Sequence, residues 1–504
     1  MSFFDHLDTH TNNFPNKTAI EFIDEPSIQI SYKELNQRIN STMGYLKSLG
    51  ILKGDRVGLQ LPKSPEFIYL YFAIIRMGAI ALPLNPAYPK DELIYFLGDS
   101  ECKVFFAIID NQEKYQTLTH ELTSLEKCIF IDLKDPNVFT SLIKKYSAID
   151  TSQFWNKEDN TAVIIYTSGT TGRPKGAQIT QGNLNANLAA LYEAWGWRED
   201  DILFHVLPIF HVHGLFVALK GALYAGATAI LTRKFDADLT LDSIISYHCS
   251  VLMGVPTIHR RLLASAKAET IDLSHMRLIT SGSDRLPDET FLKYKDVFGQ
   301  TLLERYGMTE TGMNLSNPYD GERRIGSVGF PLPGVEARIV DLEMGNILGN
   351  DEIGEVQLRG PNVFKGYWKQ PEKTKESFTP DGWFHTGDLG FRATDGYFTL
   401  KGRSKDLIIS GGMNIYPPEV ERVLAEHPSV HASAVIGCPD REWGERIVAV
   451  IQLNSPISEE ELKNFCKNKL ASYKIPKGFY FQENLPRNAL GKVQKEKLRK
   501  LLCK

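Results

Sequence analysis

"FIYLYFAIIRMGAIALPL", residues 67–84, is the stretch on which the fold turns. Its apolar length approaches that of a membrane-spanning helix. Arg76 interrupts it, Gly78 follows, and Pro83 closes it. A core helix running into a buried strand fits that punctuation better than a span. The run just before it, "RVGLQL" (56–61), reads as another short buried strand. Strand, helix and strand in succession are the βαβ unit of a parallel sheet covered by helices.

The rhythm spreads along the chain. "DELIYFLGDS" (91–100) continues it, and it returns at "DILFHVLP" (201–208), "HGLFVALKGALYAG" (213–226) and "ATAILT" (227–232). It comes again at "CSVLMGVP" (249–256), a helix over about 257–267, and "MRLITSGS" (276–283). After about residue 325 short strands are separated by Gly, Pro and Asp, as in "GEVQLRGPNVFKGYW", which predicts a β-rich subdomain. From about residue 406 strands and helices alternate over a further hundred residues. The expected fold is therefore α/β: a large N-terminal domain of mostly parallel sheets with a β-rich subdomain, 1–402, and a small α+β C-terminal domain, 403–504.

Composition narrows the function. A net charge of −4 and the lack of a basic patch with interleaved aromatics argue against a nucleic-acid binder. Six cysteines, none in a C-x-x-C pair, predict reduced thiols and a cytoplasmic protein. The first residues carry acidic groups and no Arg, unlike a signal or transit peptide. Oligomeric state is not readable.

The chemistry concentrates in "YTSGTTGRPKG" (166–176), which follows the β-run "TAVIIY". Gly lets backbone N–H groups approach an anion, Thr and Ser add donors, and Arg173 and Lys175 add charge. This is a phosphate cradle, but not a Walker A loop, because no Lys directly follows a Gly. The loop closely resembles the signature of the adenylate-forming superfamily, which includes acyl-CoA synthetases, peptide-synthetase adenylation domains and luciferases.

Further motifs extend the resemblance over nearly the whole chain. "ERYGMTE" (304–310), "SGS" (281–283), "WFHTGDLG" (383–390), "LKGRSKD" (400–406) and "LPRNALGKVQK" (485–495) follow in the family's order. The resemblance implies that Thr167, Ser168, Gly169, Thr170, Thr171, Gly172 and Lys175 grip ATP phosphates. It implies that Ser281, Gly282, Ser283, Arg305, Tyr306 and Gly307 surround the adenine, with Tyr306 stacking on it. Thr309 would bond the α-phosphate, Glu310 with Thr170 would hold Mg²⁺, and Asp388 and Arg403 would hold the ribose. Lys492 would neutralise charge as the adenylate forms. The small domain would rotate about Lys405, and Ser410, Gly411 and Gly412 would line the path of coenzyme A.

The implied reaction joins a carboxylate to coenzyme A, with ATP cleaved to AMP and diphosphate through an acyl-adenylate. "TGMNLSNPYDGERR" (311–324) is most similar to malonyl-CoA synthetases, and so is "LPIFHVHGLF" (207–216). Arg261, in the helix after "VPT" and beside Arg260, matches the position expected to clamp a distal carboxylate, with His211 and Met313 as further pocket residues. His211 and His213 could gate that pocket, but H-x-H alone is not a zinc site. Val212 stands where these enzymes carry Thr, and Asp284 and Arg285 replace small residues. Methylmalonate, another short diacid, or a medium- or long-chain fatty acid remain alternatives. A catalytically inactive nucleotide-binding protein is the alternative from another class.

Overall fold

The computed structural model describes residues 1–25, 27–147, 158–167, 174–467, 469–487 and 491–503. The chain forms two compact units: 1–336 with 358–384, and 337–357 with 385–504.

The first unit contains two sheets. In the larger, strands run in the order Phe330–Pro331, Gly312–Ser316, Leu303–Met308, Leu278–Ser281, Val251–Gly254, Ile202–His205, Thr228–Leu231, Thr18–Phe22 and Ile28–Ser31. Neighbours are parallel from Leu303–Met308 to Thr18–Phe22, and antiparallel pairs close both edges. In the second sheet Ile80–Pro83, Arg56–Gln60, Val104–Ile108 and Lys127–Ile131 pair in parallel. Thr161–Thr167 joins it alongside Ile80–Pro83, then pairs antiparallel with Lys175–Thr180.

The stretch at 67–84 is the expected core helix and strand. The helix Pro65–Arg76 is capped by Ser64, whose hydroxyl accepts the Phe67 N–H at 3.3 Å, and all its residues are buried. Arg76 is tolerated there because Asp8 pairs with it at 2.6 Å, Asn36 accepts from it at 2.6 Å, and Phe4 lies under its guanidinium. Among the described residues no helix is long and apolar enough to cross a membrane.

One element was not expected. Residues His213–Leu219 form a π-helix that runs into the α-helix Lys220–Ala225. Its start is tightly packed: a Cβ at Gly214 would stand 2.1 Å from the Pro208 carbonyl oxygen. The Gly214 carbonyl accepts His205 Nε2 at 2.8 Å, which draws it away from the helix ladder.

The second unit carries a four-stranded sheet in which Phe384–Arg392 and Phe398–Arg403 pair antiparallel, and a five-stranded sheet centred on Gly444–Leu453. Helices Pro417–Ala425, Glu459–Lys467 and Lys495–Leu502 accompany that sheet, with Val420, Leu424, Leu462 and Leu498 buried. The expectation of reduced thiols fails at one pair. Cys438, near the end of Val430–Asp440, is disulfide-bonded to Cys503, just beyond the last helix. The fold brings together residues 65 positions apart, which sequence spacing cannot reveal.

Candidate functional site

In the first unit, one group of predicted residues forms around Glu310. Thr167 and Lys175 face each other across the antiparallel pair that flanks the Gly-rich loop. Glu310 is buried, and its Oε1 accepts the Thr167 hydroxyl at 3.2 Å and the Tyr367 hydroxyl at 3.2 Å. The Lys175 ammonium lies 4.8 Å from the centroid of the Tyr367 ring. Ser168, Gly169, Thr170, Thr171, Gly172 and Arg173 lie outside the described residues.

No group of three metal-ligating side chains forms among the described residues. One buried carboxylate is nevertheless the donor set that suits Mg²⁺, which takes few protein ligands and fills its sphere with phosphate oxygens and water. Glu310 fits that ion.

A second group lies along the strand Leu303–Met308 and the Ser281–Ser283 turn. Arg305 is 2% exposed, and none of its three guanidinium nitrogens has a hydrogen-bond partner among the described residues. Burial pulls its pKa down to about 9, and Glu304 offsets this only in part. The guanidinium lies against Gly282, where a Cβ would come within 2.5 Å of its central carbon. Glu304, its neighbour in the strand, projects to the other face. There Oε1 accepts the Leu286 N–H at 3.0 Å, and burial raises its pKa to about 7.

Two histidines lie within electrostatic reach of Arg305. Burial lowers His211 to about 4 and depresses His213 strongly, and the Arg305 charge adds to both shifts. His213 Nδ1 is 3.3 Å from the Ser283 hydroxyl, and Ser283 holds a left-handed φ of 67°. Such a conformation costs a non-glycine residue ~1–2 kcal/mol. Met313 is buried against Gly307, and a Cβ at Gly307 would stand 2.3 Å from the Gly312 carbonyl oxygen, so Gly307 admits no side chain.

Arg261 does not join this group. It is exposed, with its guanidinium 4.7 Å from the Phe235 ring centroid, and Arg260 is exposed beside it. In the helix Pro256–Leu263 the buried side is formed by Pro256, Ile258, His259 and Leu262. Arg261 is thus exposed, whereas the guanidinium of Arg305 is buried. Arg285 pairs with Asp288 at 3.2 Å, and the Asp284 carboxylate accepts the Arg285 N–H, so both residues are occupied at the surface.

In the second unit, Asp388 and Arg403 stand opposite each other in an antiparallel pair and form an ion pair of 2.7 Å. The turn before Asp388 is shaped by Glu355, which accepts the Gly387 N–H at 3.0 Å and holds His385 at 2.8 Å. Ser410 is buried, while Gly411 and Gly412 take φ of 58° and 76°. The Trp443 indole covers Gly411, and the Gly411 N–H donates to the Trp443 carbonyl at 2.8 Å. Lys405 and Lys492 are exposed, and next to Lys405 Asp406 pairs with Arg499 at 2.5 Å.

A family model described as AMP-binding enzyme matches residues 7–368, and one described as AMP-binding enzyme C-terminal domain matches residues 419–492. The chain belongs to the AMP-binding enzyme family. Among the relatives of this AMP-binding enzyme is a malonate–CoA ligase of Bos taurus, ACSF3, mitochondrial, 38% identical over 89% of this chain and 82% of the relative. An oxalate–CoA ligase of Arabidopsis thaliana is 36% identical over 97% of this chain and 96% of the relative. The crystal structure of ATP-bound MatB from Rhodopseudomonas palustris superimposes with a TM-score of 0.92 at 40% identity, covering 99% of both chains.

Sequence reasoning missed Tyr367 and Glu355. The signal for Tyr367 was an aromatic directly after a glycine in "KGYW"; Glu355 left none.

Proposed function

We propose that this chain is an AMP-forming acyl-CoA synthetase that converts malonate, ATP and coenzyme A to malonyl-CoA, AMP and diphosphate. The observation that carries the choice of acid is Arg305. A buried guanidinium without a partner is costly, and an anion arriving in the site removes that cost. Malonate brings one carboxylate to be activated and a second to be recognised. A planar guanidinium suits a carboxylate, and hydrogen bonds to charged groups contribute about 1.5–3 kcal/mol. The surrounding histidines, kept neutral by burial, add donors without adding charge. We assign Arg305 to the acid rather than to the adenine. His211 and Met313 bound the same pocket.

The other roles follow the family. Thr167 and Lys175, with the loop between them, hold the triphosphate. Tyr306 stacks on the adenine, flanked by Ser281, Gly282, Ser283 and Gly307, and Thr309 donates to the α-phosphate. Glu310 holds Mg²⁺, which when bound neutralises phosphate charge. Asp388 and Arg403 hold the ribose. Lys492 stabilises the charge that builds as the carboxylate oxygen bonds the α-phosphorus and diphosphate leaves. Coenzyme A thiol then takes the acyl group and AMP departs, with Ser410, Gly411 and Gly412 along the thiol's path and Lys405 as the pivot.

The test is diphosphate release with ATP and coenzyme A across acetate, malonate, methylmalonate, succinate, octanoate and palmitate. We expect malonate to give the highest kcat/KM and AMP to be the nucleotide product. A preference for octanoate or palmitate overturns the choice of acid, and ADP as product overturns the class.

A further inference from the structure

The turn that carries Thr309 and Glu310 connects two antiparallel strands, Leu303–Met308 and Gly312–Ser316, and it is held by side-chain amides. Asn187 bonds the Met313 backbone twice: its Oδ1 accepts the N–H at 3.1 Å, and its Nδ2 donates to the carbonyl at 2.8 Å. Asn362 Nδ2 donates to the Thr311 carbonyl at 2.8 Å and to Asn314 Oδ1 at 2.9 Å. Asn314 Nδ2 in turn donates to the Thr311 hydroxyl at 2.7 Å. The Phe364 N–H donates to the Glu310 carbonyl at 2.8 Å.

All three amides are buried and none carries charge. They lie on three different elements: the helix Gln181–Ala194, the strand Gly312–Ser316, and the loop before Gly366–Tyr367. One turn before Asn187, Asn183 donates to the carbonyls of Pro361 and Val363 at 2.8 and 2.7 Å. A single helix thus fixes both the turn and the loop that holds the turn. That helix directly follows the strand Lys175–Thr180, which begins with Lys175. Gly312 completes the fit. Its φ is +62°, and a Cβ there would fall 2.6 Å from Asn187 Oδ1.

We propose that Asn187, Asn314 and Asn362 are positioning residues for ATP activation: they lock the 309–312 turn so that the Thr309 hydroxyl and the Glu310 carboxylate are presented together, in register with Lys175. This rests on the roles given above to Thr309 and Glu310. The amides act through the backbone of the turn. Their loss would let the carboxylate wander, and an error of a fraction of an ångström in a positioned group is felt in rate and in metal-dependent affinity.

The test uses the full chain with Asn187→Ala and Asn362→Ala. ATP affinity is measured by calorimetry with and without Mg²⁺, beside malonate-dependent ATP–diphosphate exchange and Tm. We expect both variants to lose about tenfold or more of the affinity gained from Mg²⁺, with exchange falling in parallel. Asn185→Ala is the control. On the same helix, Asn185 accepts the Phe3 N–H at 3.1 Å, away from the turn. It should lower Tm alone.

Retention of the Mg²⁺ gain and the exchange rate within about twofold in both variants overturns the proposal, whatever happens to Tm. If Asn187→Ala does not fold, Asn362→Ala decides by the same criterion. Glu310→Gln separates the two layers. If it too keeps the Mg²⁺ gain, the role of Glu310 falls and the proposal with it. If it loses the gain while the Asn variants keep it, only the proposal falls.

Discussion

The candidate residues of the two units are held in opposite ways. Around Glu310 in the first unit, Glu310 and Thr311 are buried, and hydroxyls and side-chain amides hold the Glu310 carboxylate and the backbone of the turn. In the second, Lys405, Gly411, Gly412 and Lys492 lie at the surface, while Asp388 and Arg403 form a tight pair. The first unit invests in fixing its groups before a substrate arrives. The second displays groups whose substitution costs little in packing. Function and stability should therefore separate in the second unit and be entangled in the first.

Lys492→Ala is the largest test of that contrast. Losing a charge that acts only as the adenylate forms should cut ATP–diphosphate exchange by ~10²–10³-fold. Because Lys492 is exposed, Tm should stay within a degree or so of the parent. A large Tm shift would show that the second unit is entangled as well.

Arg305→Met sharpens the other side. Activity with malonate should fall ~10–100-fold in kcat/KM, while the empty enzyme gains stability, because a buried charge with no hydrogen-bond partner among the described residues is replaced by an apolar side chain of similar length. Malonate should raise Tm in the parent and not in the variant. A variant that loses Tm as well as activity would mean that Arg305 has a structural partner.

Lys220 offers a comparison inside the first unit, outside the site. It is fully buried, its ammonium is 4.5 Å from the Phe3 ring centroid, and it has no hydrogen-bond partner among the described residues. Burial lowers its pKa to about 7. Between pH 7 and the ordinary lysine value of about 10.4, the unfolded chain binds a proton that the folded chain lacks. Stability from this group therefore rises with pH through that window and is flat below it. Lys220→Met should remove the slope and raise Tm most at or below neutral pH, with kcat unchanged. Urea melts at pH 6.5 and 9 read both.

The smallest effect belongs to Gly411→Ala. The new Cβ would meet the Trp443 ring at 2.9 Å in a backbone with φ of 58°. We expect about 1 kcal/mol of lost stability in melts of the full chain and a several-fold rise in KM for coenzyme A. An unchanged KM would remove this turn from the thiol's path.

Much of this was legible in the sequence because the relevant forces are local. Apolar runs of strand length separated by helical patterns fixed the parallel sheets, and the buried helix ahead of Ile80–Pro83 was readable from Arg76, Gly78 and Pro83. The position of Arg261 was not legible in the sequence: it is exposed beside Phe235, on a helix whose buried residues are Pro256, Ile258, His259 and Leu262. Arg305 gave no hint either, because its strand is covered on both faces and alternation disappears there. The asparagines in "QGNLNAN" were visible as poor helix formers, but what they hold is set by segments more than a hundred residues away. The pairing of Cys438 with Cys503 and the π-helix at His213 likewise depend on distant packing.

The disulfide makes part of the second unit a closed ring. It encloses the central strand Gly444–Leu453, the helix Glu459–Lys467 and Lys492, and ends at the foot of the last helix. Loop closure of this length removes on the order of 4 kcal/mol of unfolded-chain freedom. A protease that cuts once between Cys438 and Cys503 therefore leaves a single covalent molecule that still carries Lys492, and only a thiol reductant lets the two pieces part.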